Sequence, residues 1–163
     1  MFEVFGEFDS AEEINKAAAA QLEHGDTQAI RYIARENGLD PLDAEDYIDG
    51  EVSELCNPLM AALGKIKVEE DELKPVEIVE DWVNYIKAQA TEHPDMAVAV
   101  RRKGKTIKGC IAELLKWSFK NSYPVDKDIV KAAGIGEANV KMGIPGIGHA
   151  YEIIKAYYLG GKQ

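Results

Sequence analysis

The sequence predicts an all-α protein made of two small helical units. Three observations lead to this fold class. Apolar residues recur at helical spacing in most segments between residues 10 and 159, capping residues precede these segments, and Gly or Pro ends them. Residues 2–8, FEVFGEF, are an exception, because their aromatic side chains fit either a short N-terminal strand or an apolar arm.

Residues 1–64 are predicted to form an acidic module of four or five short helices. Capping side chains and Pro at the first helical position mark the starts, and Gly marks the stops. In chain order, the signals are the capping box Ser10-x-x-Glu13, the stop at His24-Gly25, the cap Asp26, the stop at Asn37-Gly38, the start at Asp40-Pro41, a helix from Glu51 to Leu63 and its restart at Asn57-Pro58.

Residues 65–75, KIKVEEDELKP, carry a run of charges without a clear apolar period, and we predict a linker there. Residues 76–163 are then expected to form a second helical domain. Its predicted helices open at Lys74-Pro75, at Pro94, after the cap Thr106, after the cap Asp126 and at His149.

The clearest amphipathic pattern in the chain follows Thr106. Its apolar stripe consists of Ile107, Cys110, Ile111, Leu114, Leu115 and Ser118. Cys110 follows a basic turn, which could lower the pKa of a thiol. Core packing is nevertheless the favoured role, because no His follows at a useful spacing and buried cysteine is common.

The charge of the chain is strongly divided. Residues 1–95 hold 7 Lys and Arg against 24 Asp and Glu, a net charge of −17, whereas residues 96–163 hold 12 against 5, a net charge of +7. This division can let the two halves attract each other. Alternatively, the acidic half faces a basic partner, or the basic half faces nucleic acid or an acidic partner.

Two groups of charged residues are therefore candidate interaction sites. Carboxylates on a helical surface can imitate the phosphates of a nucleic acid, and this acidic face consists of Asp43, Glu45, Asp46, Asp49 and Glu54. The basic turn can contact phosphates or an acidic partner, and it consists of Arg101, Arg102, Lys103, Lys105 and Lys108. For both groups, a solvated surface is the structural alternative.

The sequence gives no sign of catalysis, a cofactor or a metal site. Its three His residues are scattered, and no nucleophile elbow or phosphate loop is present. The turn at residues 143–148, GIPGIG, is similar to a helix-hairpin-helix phosphate site, or it needs Gly for close packing. Since no signal peptide or membrane span is evident, we expect a cytoplasmic protein.

The central basic and apolar stretch resembles the PcfK-like proteins of mobile elements and phages. The residues that carry this resemblance are Met96-Ala97, RRKGKTIKGCI at 101–111, the apolar helix after it and Asp126-Lys127-Asp128-Ile129, within residues 94–135. That family includes inhibitors of type II CRISPR effector nucleases. The resemblance implies a non-enzymatic anti-CRISPR protein acting in a bacterial host, and it transfers no individual functional residue.

Three functions remain open from the sequence. The first is an inhibitor that binds a type II CRISPR effector nuclease through the acidic face and blocks DNA binding or cleavage. The second is a nucleic-acid-binding accessory protein of conjugation or of plasmid or phage replication, with the basic turn and the turn at 146–149 on phosphates. The third is a scaffold or homodimer in which the charged halves organise only the fold.

Overall fold

The computed structural model describes residues 3–136 and 139–160. Parts of the predicted N-terminal segment and of the glycine-rich bend, together with the last three residues, lie outside these ranges. In chain order the elements are α1 (Ala11–Glu23), α2 (Thr27–Glu36), α3 (Pro41–Ile48), α4 (Pro58–Leu73), α5 (Ile78–Glu92), α6 (Pro94–Arg101), α7 (Ile107–Lys120), β1 (Tyr123–Pro124), α8 (Lys127–Ala132), β2 (Lys141–Met142) and α9 (Ile147–Leu159).

The predicted all-α class is confirmed. Helices account for 66% of the structure, and the sheet found in the described ranges is a single antiparallel pair, β1 with β2. The predicted caps act as expected, because side-chain oxygens accept backbone N–H bonds at the helix starts. These caps are Ser10, Asp26, Asp40, Asn57, Thr106 and Asp126.

The N-terminal helices α1, α2 and α3 enclose one apolar cluster. Ile14, Ile30 and Ile33 are fully buried in it, and Tyr47 of α3 closes one side. The segment before α1 is an arm rather than a strand over its described residues. The Glu36 carboxylate accepts the backbone N–H groups of residues 3–5 at 3.0, 2.7 and 3.1 Å, which fixes the arm to the end of α2.

The prediction of a linker is wrong over residues 65–73, because these residues continue α4. The charged sequence is helical since Ile66 enters the second apolar cluster, while Lys65 and Glu69 are buried among polar partners. The predicted helix from Glu51 is also wrong in its start: Gly50 takes a positive φ of 77° and the chain stays irregular until Asn57.

Helix α4 contributes to both apolar clusters. Ala61 belongs to the N-terminal cluster, and Ala62 belongs to the C-terminal one. The backbone approach beside them is close: a Cβ on Gly38 would lie 2.2 Å from the carbonyl oxygen of Gly64, and one on Gly64 would lie 2.1 Å from that of Asn37. Two glycines thus let the α2–α3 turn pack directly on α4. The division of the chain into two domains stays a prediction.

The C-terminal cluster is built from α4, α5, α6, α7 and α9. Its fully buried members include Val83 and Ile86 of α5, Cys110 and Leu114 of α7, and Ile154 of α9. Helix α8 is different, because it buries no residue. The β1–β2 pair holds the chain on either side of α8, with Tyr123 opposite Met142.

Candidate functional site

Arg101, the first residue of the predicted basic turn, is a core residue. Its side chain is 1% exposed at the end of α6. Its Nη2 donates to Asn37 Oδ1 at 2.6 Å, and its Nη1 lies 3.5 Å from the carbonyl oxygen of Ala61. The structure therefore removes Arg101 from the predicted phosphate contacts, because this guanidinium joins α6 to the α2–α3 turn and to α4.

A second buried polar group lies on α4, where the sequence gave no reason to expect one. Lys65 is 1% exposed, and its Nζ contacts Glu7 at 2.8 Å and donates to the carbonyl oxygen of Arg102 at 2.7 Å. Glu69 accepts the backbone N–H of Ile107, the first residue of α7, at 2.6 Å. These contacts fix both ends of the turn between α6 and α7.

Lys105 of the basic turn is also held against the protein itself. Lys105 Nζ donates to the carbonyl oxygen of Tyr157 at 2.6 Å and lies 4.8 Å from the centre of its ring. The hydroxyl of Tyr157 in turn accepts the Thr106 N–H at 3.0 Å. Gly109 makes this contact possible, because a Cβ there would lie 2.3 Å from that hydroxyl oxygen.

Carboxylates face the two lysines at the edges of the basic turn. Lys103 Nζ lies 4.0 Å from Glu13, and its backbone N–H donates to Asp9 at 2.8 Å. Lys108 Nζ lies 3.4 Å from Glu72. Both ion pairs are exposed and are expected to contribute little to stability. Each pair joins a carboxylate of the acidic half to a lysine of the basic half, which is one of the alternatives that the divided charge suggested. Arg102 of the turn is exposed.

One of the five carboxylates of the predicted acidic face forms an ion pair within the protein. Arg31 of α2 holds Glu45 with two hydrogen bonds, Nε to Oε1 at 2.6 Å and Nη2 to Oε2 at 2.8 Å. The hydrogen bond from Arg31 lowers the pKa of the Glu45 carboxyl. Glu45 is thus occupied within the module and contributes less to an outward negative surface.

The other four predicted carboxylates, which we call the acidic surface, lie on α3 and the irregular segment after it. Asp46, Asp49 and Glu54 are exposed, and Asp43 is half-buried. Within the described residues, none of the four forms an ion pair. Residues 36–64 contain eight Asp and Glu and no Lys, Arg or His. A neighbouring cation is Arg31 of α2, which pairs with Glu45 and interacts electrostatically with Asp49.

Part of the acidic surface is concave. Asp43, Asp46 and Glu54 line a shallow cleft of 290 Å³, with Leu55 and Met60 among its apolar lining. The lining thus combines three acidic side chains with apolar ones. Such a cleft suits a cationic side chain with a long aliphatic stem, since Lys and Arg bury their stems and keep the charged group at the edge.

The two cysteines are packing residues in the structure. Cys56 is 2% exposed and Cys110 is fully buried. Burial raises the pKa of each thiol to about 12, so neither is a thiolate near neutral pH. Among the described residues, no group of three or more His, Cys, Asp or Glu side chains is arranged to hold a metal ion.

The glycine-rich turn before α9 has a packing role at one position. A Cβ on Gly143 would lie 2.5 Å from the carbonyl oxygen of Ser118 in α7, so this position requires glycine. By contrast, Gly146 and Gly148 have open space beside them. Beyond this turn, Trp117 of α7 and His149 of α9 are in ring contact at 4.6 Å beside an open groove of 590 Å³.

Comparison with protein-family models, with curated proteins and with solved structures gives no match for this chain. The resemblance to PcfK-like proteins therefore stays a prediction from residues 94–135. None of the described helices is long and apolar enough to cross a membrane.

Proposed function

We propose that this protein is a non-enzymatic inhibitor from a mobile element or phage that binds a type II CRISPR effector nuclease in the cytoplasm of a bacterial host. The observation that carries the proposal is the acidic surface, Asp43, Asp46, Asp49 and Glu54, which makes no ion pair within the described residues. The resemblance of the central stretch to PcfK-like proteins supplies the class of partner.

The proposed mechanism is competition for a basic groove. RNA-guided nucleases hold nucleic acid in positively charged channels and read a short duplex motif with cationic side chains. A surface of fixed carboxylates presents negative charge to such a groove without the flexibility of a nucleic acid. The cleft between Asp43, Asp46 and Glu54 offers a place for one Lys or Arg side chain of the nuclease.

The structure favours the acidic surface over the basic turn for this role. Arg101 is buried, Lys105 is bound to Tyr157, and Lys108 faces Glu72. Only part of the turn's positive charge is therefore directed to solvent. The acidic surface differs, because none of its four carboxylates forms an ion pair within the described residues, whereas Glu45 beside it is paired with Arg31.

Binding to a purified type II CRISPR effector nuclease loaded with guide RNA tests the proposal. We expect a complex at low salt whose affinity falls steeply as ionic strength rises, because charge pairs across an interface are screened. Asp46→Lys with Asp49→Lys should weaken it at least tenfold.

The matched control is Glu80→Lys with Glu92→Lys on α5, which changes net charge equally at two exposed positions. This control should bind almost as the wild type does. Absence of a complex at low salt, or equal weakening by both charge reversals, would refute the proposal. A mobility shift of free DNA by the protein alone would instead support the accessory-protein hypothesis.

A further inference from the structure

Besides the acidic surface, the protein exposes a group of apolar side chains between residues 115 and 144. Leu115 and Phe119 of α7 are 55% and 82% exposed, although Ile107, Cys110 and Leu114 of the same helix are buried in the core. Tyr123, Met142 and Ile144 are 50%, 47% and 53% exposed. We call these five residues the C-terminal apolar surface.

These five side chains come from neighbouring parts of the fold. Leu115 and Phe119 are four residues apart on α7 and so share a face of the helix. Tyr123 and Met142 are opposite each other in the β1–β2 pair. Gly143, between Met142 and Ile144, packs against the backbone of Ser118, the residue before Phe119. Exposed apolar residues grouped in neighbouring segments are more informative than single ones.

Exposed lysines outnumber exposed acids among the described residues between 115 and 144. The lysines are Lys116, Lys120, Lys127, Lys131 and Lys141, and the acids are Asp126 and Asp128. Lys116 is paired with Glu113 at 2.6 Å, and the excess of positive charge remains. The excess of positive charge matters for the choice of partner. An apolar surface with a basic rim is expected to bind an apolar surface with an acidic rim.

The chain itself carries a surface of that chemistry. Leu42 and Val52, which are 71% and 43% exposed, lie within the same segment as the carboxylates of the acidic surface. Leu42 adjoins Asp43, and Val52 lines the cleft beside Asp46 and Glu54. A second copy of this chain therefore offers both the apolar side chains and the negative rim.

We propose that the C-terminal apolar surface of one copy binds the acidic surface of a second copy. The contact is head-to-tail, so a dimer retains one free surface of each kind and longer assemblies can form. It uses the carboxylates that the proposed nuclease would also contact, and self-association would therefore compete with nuclease binding. It does not depend on the nuclease, because it is measured with the pure protein.

Sedimentation equilibrium of the full chain tests this inference across a range of concentrations. The average mass should rise above that of the monomer with concentration at about 0.01 M salt, where the Debye length is about 30 Å. The rise should diminish at about 1 M salt, where the Debye length is about 3 Å. A monomer at every concentration and at both salt levels would overturn the inference.

Two variants identify the surfaces. Asp46→Lys with Asp49→Lys removes the acidic end, and Leu115→Gln with Phe119→Gln removes the apolar end. Each variant alone should remain monomeric. An equimolar mixture should form a one-to-one dimer and nothing longer, because each variant retains the surface that the other has lost.

Matched controls are Glu80→Lys with Glu92→Lys, and Val76→Gln with Val98→Gln at exposed apolar positions elsewhere. Both should associate as the wild type does, and circular dichroism should show every variant folded. If Leu115→Gln with Phe119→Gln abolished association while Asp46→Lys with Asp49→Lys did not, the apolar surfaces would bind each other. That result would contradict the head-to-tail contact. Association that survives both variants would contradict it as well.

Discussion

Asn37→Ala is the substitution that tests the buried joint between α2, α4 and α6. The side chain of Asn37 is fully buried, accepts the Arg101 Nη2 donor at 2.6 Å and donates its own Nδ2 to the carbonyl oxygen of Ile33 at 2.8 Å. The substitution removes both hydrogen bonds and leaves the Arg101 charge in the core with fewer acceptors.

The expected cost follows from these contacts. A hydrogen bond to a charged group contributes about 1.5–3 kcal/mol, and an ordinary one contributes about 1 kcal/mol. We therefore expect Asn37→Ala to lower the free energy of unfolding by about 2.5–4 kcal/mol, a large part of the roughly 5–15 kcal/mol that a typical domain has. Arg101→Met should cost less, about 1–3 kcal/mol, because it also removes a charge that burial disfavours.

Urea unfolding followed by circular dichroism measures both values and their coupling. The double variant should be about 2 kcal/mol more stable than the sum of the two single effects predicts, since the residues share one interaction. Arg102→Met is the exposed control and should change stability by no more than about 0.5 kcal/mol. If Asn37→Ala and Arg101→Met were each as mild as this control, the assignment of Arg101 to the core would be refuted.

Three further predictions concern packing and titration. Cys56 and Cys110 should not react with a thiol reagent at pH 8 in the folded protein and should react fully in urea; rapid native reaction would contradict their burial. Gly64→Ala should destabilise the protein far more than Gly50→Ala, because a Cβ on Gly64 would lie 2.1 Å from the carbonyl oxygen of Asn37. A Cβ on Gly50 meets open space, so that substitution should cost only the strain of its positive φ, about 1–2 kcal/mol. Denaturant midpoints of the two variants measure this difference. Burial raises the pKa of Glu69, so the folded protein binds this proton more tightly than the unfolded chain does. The advantage of the wild type over Glu69→Gln should therefore shrink as pH rises from the unfolded-state pKa, near 4.5, through the folded-state pKa, and growth of that advantage would contradict the sign.

Local signals in the sequence predicted the helical framework well. Helix starts depend on a side chain and the backbone beside it, so Ser10, Asp26 and Thr106 could be identified without tertiary information. The stripe on α7 likewise identified Cys110 and Leu114 as core residues. It did not predict that Leu115, which fits the same spacing, faces outward.

The errors lie where tertiary contacts override local pattern. Lys65 and Glu69 are typical of a solvated charge run, and their burial depends on Glu7, Ile107 and the Arg102 carbonyl, which are distant in sequence. A linker was therefore predicted in place of a helix that contributes to both clusters. A periodicity argument also assigns polar residues to the solvent-exposed face of a helix, so it cannot predict the burial of Lys65 and Glu69.

The candidate site was predicted only in part for the same reason. A charge count identified the acidic segment and the basic turn, but it could not show which charges are satisfied within the chain. Arg31 binds Glu45 of the acidic set, and in the basic set Arg101 donates to Asn37 and Lys105 to the carbonyl oxygen of Tyr157. Arg31 was not considered in either set, because its role depends on the packing of α2 against α3.

Competition with DNA on the nuclease is the measurement that tests the central claim most directly. A guide-loaded type II CRISPR effector nuclease would be bound to labelled target duplex and titrated at low salt with the wild type, Asp46→Lys with Asp49→Lys, and Arg102→Glu with Lys103→Glu. We predict that the wild type and the basic-turn variant displace the duplex equally, while the acidic-surface variant needs at least tenfold more protein. Equal displacement by the acidic-surface variant, or loss of displacement only in the basic-turn variant, would contradict the assignment of function to the acidic surface.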